Sequence, residues 1–262
     1  MALLPKAKLF VTSCKEINTI MKQDNKEGHQ WHYYDDLPHA RKFTTCRKKG
    51  LYYTSCAHGV MFGLLYKNAI PLGADRWYGD HDTIRFTTDE GKEMFPKTFK
   101  TFHIGGKKTV KECIKVGFIR PGDIITYYDM THTNAYIGSN KSFDAGHAYC
   151  RESGEGAKFI KWIGALAHAN ERVAYVVRVR ESYADELAHP DTVVKGKLKV
   201  TKNTALRKLP MSDAEKLLPS FVSAGTKMYV CDEILNEKGN KWYYVKYNGQ
   251  YGYIYSAKVK LL

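Results

Sequence analysis

Residues 120–146 read RPGDIITYYDMTHTNAYIGSNKSFDAG. Pro121-Gly122-Asp123 is a turn signal. The alternating, β-branched and aromatic runs after it read as strands at Ile124–Tyr128, Thr133–Ile137 and Lys141–Phe143. The Gly-Ser-Asn-Lys turn at 138–141 joins the last two. Two adjacent antiparallel strands then bring His132, which leads the one, and Asp144, which trails the other, side by side. Working outward, Arg172–Arg180 is a further strand, and Thr109–Val116 a short helix. Ala7–Gln23 and Cys56–Lys67 read as longer helices. Thr54 or Ser55 can cap the second, whose apolar residues fall at Val60, Met61, Leu64 and Leu65. Gly73–Lys108, rich in aromatics, glycine and charge without a clear period, is expected to be loops and short elements. Helices first and antiparallel strands after is an α+β pattern.

The texture changes near residue 190. ESYADELAHPDT is polar, carries the breaker Pro190 and reads as a linker. Beyond it come short alternating runs, GKLKVT, TKMYVCDEI, KWYYVKY and QYGYIYS. The Asn248-Gly249 pair between the last two is a hairpin signal, because a type I′ turn needs positive φ at both central residues. Close-spaced short strands imply a small β-barrel or sandwich. The expected domains are residues 1–182, a linker at 183–195 and an all-β domain at 196–262.

The 262 residues carry a formal charge of +14, and from Lys195 onward there are thirteen basic and five acidic residues. A basic tail implies a polyanionic partner: nucleic acid, anionic lipid or the anionic polymers of a bacterial wall. No apolar run approaches the roughly 20 residues that span a bilayer; the longest lies around Val60–Leu65. The start, MALLPKAKLFVTSCKEI, lacks a signal-peptide pattern, so synthesis in the cytoplasm is expected. The six cysteines show no CxxC spacing, which argues against a zinc ribbon or thioredoxin-like motif. Most are expected to be small buried hydrophobes.

Three residues can carry chemistry together. Cys56 opens a helix, where unpaired N–H groups and the positive dipole end stabilise a thiolate. A neutral imidazole at His132 can take the thiol proton and pass it to a leaving amine. A carboxylate at Asp144 can accept the second ring N–H of His132 and fix its tautomer. The structural alternatives are a core cysteine, a loop histidine and an aspartate capping the Ala145-Gly146 turn. His147 competes for the orienting role.

In that order, SCAHGVMFGLLYKNAI, RPGDIITY, HTNAYIG and FDAG resemble the motifs of the NlpC-type cell-wall cysteine peptidases, papain-like hydrolases of bacterial peptidoglycan, over roughly residues 30–180. The resemblance implies Cys56 as nucleophile, His132 as base and Asp144 as third residue, with no metal or cofactor. It departs from the family at Ser55 (usually Asp), at Ala57-His58 (usually Ser-Gly), at Asn134 (usually Gly) and at Asp144 (usually His). The family often places a tyrosine upstream of the cysteine in its active site; Tyr33, Tyr34, Tyr52 and Tyr53 are unranked candidates here. TALRKLP, the Ala224-Gly225-Thr226 turn and NKWYYVKYNGQYGYIYSAKVKL resemble bacterial SH3-like domains, which implies a wall-binding barrel.

The expectation is therefore α+β: a papain-like NlpC-type catalytic domain followed by a small all-β SH3-like barrel, in an endolysin-like peptidoglycan hydrolase. It is expected to cut a stem-peptide amide, after D-glutamate by the resemblance, and to act on the wall as a monomer. Substrate contacts are expected at Tyr33, Tyr34, His147, Trp242 and Tyr253, or else the tail tyrosines simply fill strands and core. An amidase cutting between sugar and peptide, and a non-catalytic wall-binding protein, are the alternatives. No motif reads RNA or DNA, so nucleic acid is not an expected partner. His29, His32 and His39, near Asp35 and Asp36, fit no standard zinc spacing.

Overall fold

The computed structural model describes residues 3–34, 42–70, 96–129, 132–146, 149–166 and 168–262. The chain divides into two compact units, Met1–Arg180 and Glu181–Leu262. Among the described residues no helix is long and apolar enough to cross a membrane.

The first unit begins with helix α1, Pro5–Lys26, started by a proline in its first turn. Strand β1, His32–Tyr33, follows, then α2, Phe43–Lys48, and β2, Tyr53–Thr54, which pairs with β1 in parallel. Helix α3, Cys56–Tyr66, comes directly after β2. It is apolar on every side and buried almost throughout, the expected state of a helix at the centre of a core. Gly63 lets it lie against α1: a Cβ there would stand 2.7 Å from the Phe10 ring and 2.9 Å from the Cys14 sulfur. Trp31, Phe43, Phe62 and Trp162 fill the same core with edge-to-face and stacked contacts at 5.1–6.4 Å between centroids.

The remaining elements of this unit build an antiparallel sheet in the order β3-β8-β4-β5-β6-β7. They are β3 (Phe99–His103), β4 (Asp123–Tyr127), β5 (Thr133–Gly138), β6 (Lys141–Phe143), β7 (Ile163–Ala165) and β8 (Val173–Val179). Helix α4, Val110–Lys115, precedes β4 behind a capping box formed by Thr109 and Glu112. The Pro-Gly-Asp turn is fixed by a buried ion pair. Arg178 of β8 places Nε and Nη2 each 2.6 Å from the two Asp123 oxygens, and Nη2 also donates to the Phe118 carbonyl at 3.1 Å. Such a pair costs about 3–5 kcal/mol to break, because the surviving charge stays buried. Asp123 is thus a structural clamp.

β3 corrects the expectation of a structureless stretch from Gly73 to Lys108. Its FKTFH lacks clean alternation because it pairs with β8 while Phe99 and Lys100 are both buried. Residues 73–95 lie outside the described residues. β7 was likewise unexpected.

The second unit starts with α5, Tyr183–Ala188, capped by the Ser182 side chain. Its sheet runs β12-β11-β10-β9-β13, all antiparallel, with β9 at Gly196–Val200, β10 at Lys227–Leu235, β11 at Lys241–Tyr247, β12 at Gln250–Tyr255 and β13 at Val259–Leu261. Asn248 (φ +46°) and Gly249 (φ +79°) make the expected tight turn. The ladder is open, with β12 and β13 at its edges, so the expected closed barrel is not found.

The stretch expected as a linker is ordered. Tyr183 and Leu187 of α5 pack against Ile234, Trp242 and Tyr253. Lys195 is buried between Asp191 and Asp232, at 3.0 and 3.2 Å. The Glu186 and Asp191 side chains are buried with it, while Ser182, His189 and Thr192 stay exposed.

Candidate functional site

The N-terminus of α3 is a short, fully buried construction. Ser55 caps the helix: its hydroxyl accepts from the His58 backbone N–H at 3.4 Å and lies 3.0 Å from the His58 ring Nδ1. His58 is thereby a local partner of the cap, which accounts for a polar ring where the resembling family has glycine. Cys56 takes the first helical position, 1% exposed.

The helix reaches the sheet through Gly59. A Cβ there would stand 2.3 Å from the Ala145 Cβ, so only glycine allows α3 to rest on the segment that follows β6. Gly146, in that same segment, makes room in the same way: a Cβ on it would meet His132 Cε1 at 2.4 Å and Asp144 Oδ1 at 2.8 Å. Two missing side chains bring three chemical ones together.

β5 and β6 pair with Ala135 opposite Phe143 and Tyr136 opposite Ser142. His132 before β5 and Asp144 after β6 therefore meet. His132 Nε2 lies 3.1 Å from Asp144 Oδ1, with the side chains 15% and 0% exposed. The contact is an ion pair within hydrogen-bonding distance. Burial by itself would pull the His132 pKa down. The Asp144 charge and contact, together with a side-chain hydrogen bond and charge interaction with Cys56, outweigh it and push the value up to about 11. At neutral pH His132 is then an imidazolium touching both a carboxylate and the cysteine.

Asn134 and Tyr127 complete the floor. The Asn134 side-chain N–H donates to the Tyr127 hydroxyl at 2.7 Å and, more weakly, to Asp144 Oδ2 at 3.4 Å. The Tyr127 ring stacks on His132, 5.6 Å between centroids. Burial, then the Asp144 charge, raises the Tyr127 pKa, so its phenol stays neutral. Asn134 thus has a task where the resembling family has glycine: it holds the aspartate.

Two neighbours were missed. His168 sits 5.0 Å from the His132 ring and 5.2 Å from the Tyr127 ring, between centroids. Nothing in AHANER marks it, because the turn after β7 rather than any strand register delivers it. Cys150 donates through its thiol to the Gly146 carbonyl at 3.2 Å; burial, then the Asp144 charge, pushes its pKa up to about 12.

The remaining candidates divide. Tyr33 and Tyr34 lie on and just after β1, beside the strand that leads into Cys56; Tyr33 is buried against Phe159, and Tyr34 meets Tyr53 edge-on at 6.3 Å. His147 lies outside the described residues, as do His39, Asp35 and Asp36. His29 stacks on Tyr52 and the His32 ring bonds to the Gly156 carbonyl at 2.8 Å, each a local structural contact. Trp242 and Tyr253 are buried, 4% and 3% exposed, in the small cluster with Ile234. Their neighbours Tyr243 and Ile254 on the opposite face are buried as well, so β11 and β12 are covered on both faces here, with Tyr183 and Leu187 of α5 packed against Trp242 and Tyr253. Trp242 does line one wall of a cavity of about 650 Å³ in the second unit, with Tyr255, Phe221 and Arg207. None of the six cysteines is paired in a disulfide.

No family model and no curated protein matches this sequence. Among solved structures, the crystal structure of Ly7917 with the hydrolyzing product of MDP is 14% identical at a TM-score of 0.21, covering 52% of this chain and 57% of that one. The crystal structure of Ly7917 by itself matches equally, at 14% identity and a TM-score of 0.21, over 51% and 56% of the two chains. The chain thus spans little more than half the length of the solved structures it matches, and at that TM-score the likeness carries no argument about fold or activity.

Proposed function

We propose that the first unit is a thiol hydrolase that cleaves an amide bond of bacterial peptidoglycan. Cys56 attacks the carbonyl as thiolate. The backbone N–H of Cys56, at the open end of α3, helps hold the oxyanion. The imidazolium of His132 gives its proton to the leaving amine, and a water activated by the same ring then releases the acyl-enzyme. Asp144, supported by Asn134, holds the ring and its charge. The bond after D-glutamate in the stem peptide is the one that the sequence resemblance implies.

The single observation that supports this reading is the meeting of His132 with both a fully buried carboxylate at 3.1 Å and the thiol at a helix N-terminus. The second unit, basic and rich in tyrosine, is proposed as an SH3-like anchor that keeps the enzyme on the wall and so raises the effective substrate concentration.

The test is clearing of purified Gram-positive walls by the native chain and by Cys56→Ala. The native chain should clear, and the variant should be slower by several orders of magnitude. Equal clearing, or none by either, refutes the reading. Mass spectrometry of the fragments separates a stem-peptide cut from a sugar–peptide cut.

A further inference from the structure

His168 is not used by the relay, and its surroundings suggest a purpose. Its backbone adopts φ +57°, a left-handed conformation that side-chain-bearing residues seldom occupy and that clusters at functional sites. Its Nδ1 is bonded to the Glu171 carboxylate. An imidazole that gives Nδ1–H to a carboxylate keeps the Nε2 lone pair free, which is how proteins prepare a histidine to ligate a metal.

The other half of a site faces it. Ligand atoms of His132, Asp144 and His168 all lie within 4.8 Å of one another. His132 Nε2 and Asp144 Oδ1 are buried and face each other at 3.1 Å, and the Asp144 side chain has no exposed surface. Two ligands at 2.0–2.1 Å from one tetrahedral zinc stand about 3.3 Å apart. The 3.1 Å between Nε2 and Oδ1 is already close to that bite. The third ligand belongs to His168, whose side chain is 32% exposed and whose ligand atom lies within the same 4.8 Å. Two imidazoles and a carboxylate are a donor set that zinc accepts.

We propose that His132, Asp144 and His168 form a binding site for a divalent transition cation of the zinc class, and that its occupation reversibly silences the hydrolase. The silencing rests on the proposed role of His132, since a metal on Nε2 displaces to solvent the proton that the imidazolium carries there, and takes the ring and the carboxylate out of the relay. The binding does not rest on it.

Cobalt(II), a spectroscopic stand-in for zinc, is titrated into the full-length protein freed of metal by chelation. One equivalent should give the visible absorption of a tetrahedral site, and zinc should displace it. His168→Gln should weaken binding at least about 100-fold, and Glu171→Gln about 10-fold, the range for a lost supporting carboxylate. Cys56→Ala should bind as the native chain does, with no thiolate-to-metal band in either. Absence of saturable one-to-one binding overturns the proposal. So does binding unchanged in both His168→Gln and Glu171→Gln, each checked for native circular dichroism, or a thiolate band that vanishes in Cys56→Ala. In wall clearing, zinc should slow the native chain and a chelator restore it, while His168→Gln should show nearly the same rate with and without zinc. Activation by zinc refutes the silencing. Cobalt binding without any wall clearing would sink the hydrolase reading and leave the metal site standing; clearing without cobalt binding does the reverse.

Discussion

Replacing Asp144 by Asn keeps its size and removes its charge. At 3.1 Å from His132 Nε2, a unit charge pair at an effective dielectric of about 20 is worth about 5 kcal/mol. At roughly 1.4 kcal/mol per factor of ten, full loss in the transition state would lower kcat/KM about 10⁴-fold. The amide dipole retains some of the interaction, so a fall of about 10³ to 10⁴ is expected, in line with the same exchange in a Ser-His-Asp triad. The pH profile carries a second signature. The active pair needs a protonated His132, so activity fades as pH rises through its pKa, which Asp144 and Cys56 together push to about 11 against the pull of burial. Without the carboxylate the burial penalty prevails, and the alkaline limb of kcat/KM moves to lower pH by more than one unit. Stability follows the same linkage. The folded state binds this proton more tightly than the unfolded chain, so the contribution is complete below about pH 6.5 and is lost as pH climbs towards 11. Asp144→Asn should shrink that alkaline loss. The assay is kcat/KM on purified stem peptide across the neutral and alkaline range, with thermal melts as control. A variant within tenfold of the native chain and with an unmoved alkaline limb would refute the assignment of Asp144.

Other consequences are equally concrete. Asp123→Ala should cost about 3–5 kcal/mol in a urea melt, by stranding the buried Arg178; a loss under about 1 kcal/mol would contradict the clamp. Gly59→Ala places a methyl 2.3 Å from Ala145 Cβ, so it should cost about 1–3 kcal/mol and, by shifting Cys56 against His132, lower kcat/KM by about 10²; native activity would show that α3 does not rest where described. Iodoacetamide at neutral pH should label Cys56 before the other cysteines. Burial pushes Cys113 and Cys231 up to about 11 and Cys150 to about 12, and raises Cys14 well above the usual thiol range. Peptide mapping that finds Cys150 modified first would contradict this.

How much of the arrangement could be read from the sequence depends on the range of the interaction that decides each residue. Helix α3, its serine cap and the β5–β6 pairing are local, set by capping chemistry, a short turn and alternation, and those signals lie within a dozen residues of one another. They suffice to bring His132 beside Asp144. Gly59 and Gly146 stand in the sequence as ordinary glycines, because their reason is a close approach between elements far apart in the chain. β3 was hidden by the same cause: its partner β8 lies at the other end of the unit.

The polar residues around the dyad carry that lesson furthest. Asn134 is a departure from the resembling motif, yet it commits its amide to Tyr127 and Asp144. Pattern matching counts such a residue as a loss, whereas the buried carboxylate needs a donor that glycine does not have. His168 left no trace at all, because the strained turn after β7 places it and a carboxylate three residues later orients it. A histidine in a left-handed conformation against a buried ion pair costs backbone energy of about 1–3 kcal/mol. The Glu171 contact and the ring packing on His132 and Tyr127 must offset that cost. His168→Gly, which removes the conformational penalty along with the ring, should therefore lose less stability than His168→Ala, which keeps the Cβ and the strain. A melt in which the alanine variant is the more stable would place the strain elsewhere and remove the backbone argument for a built site.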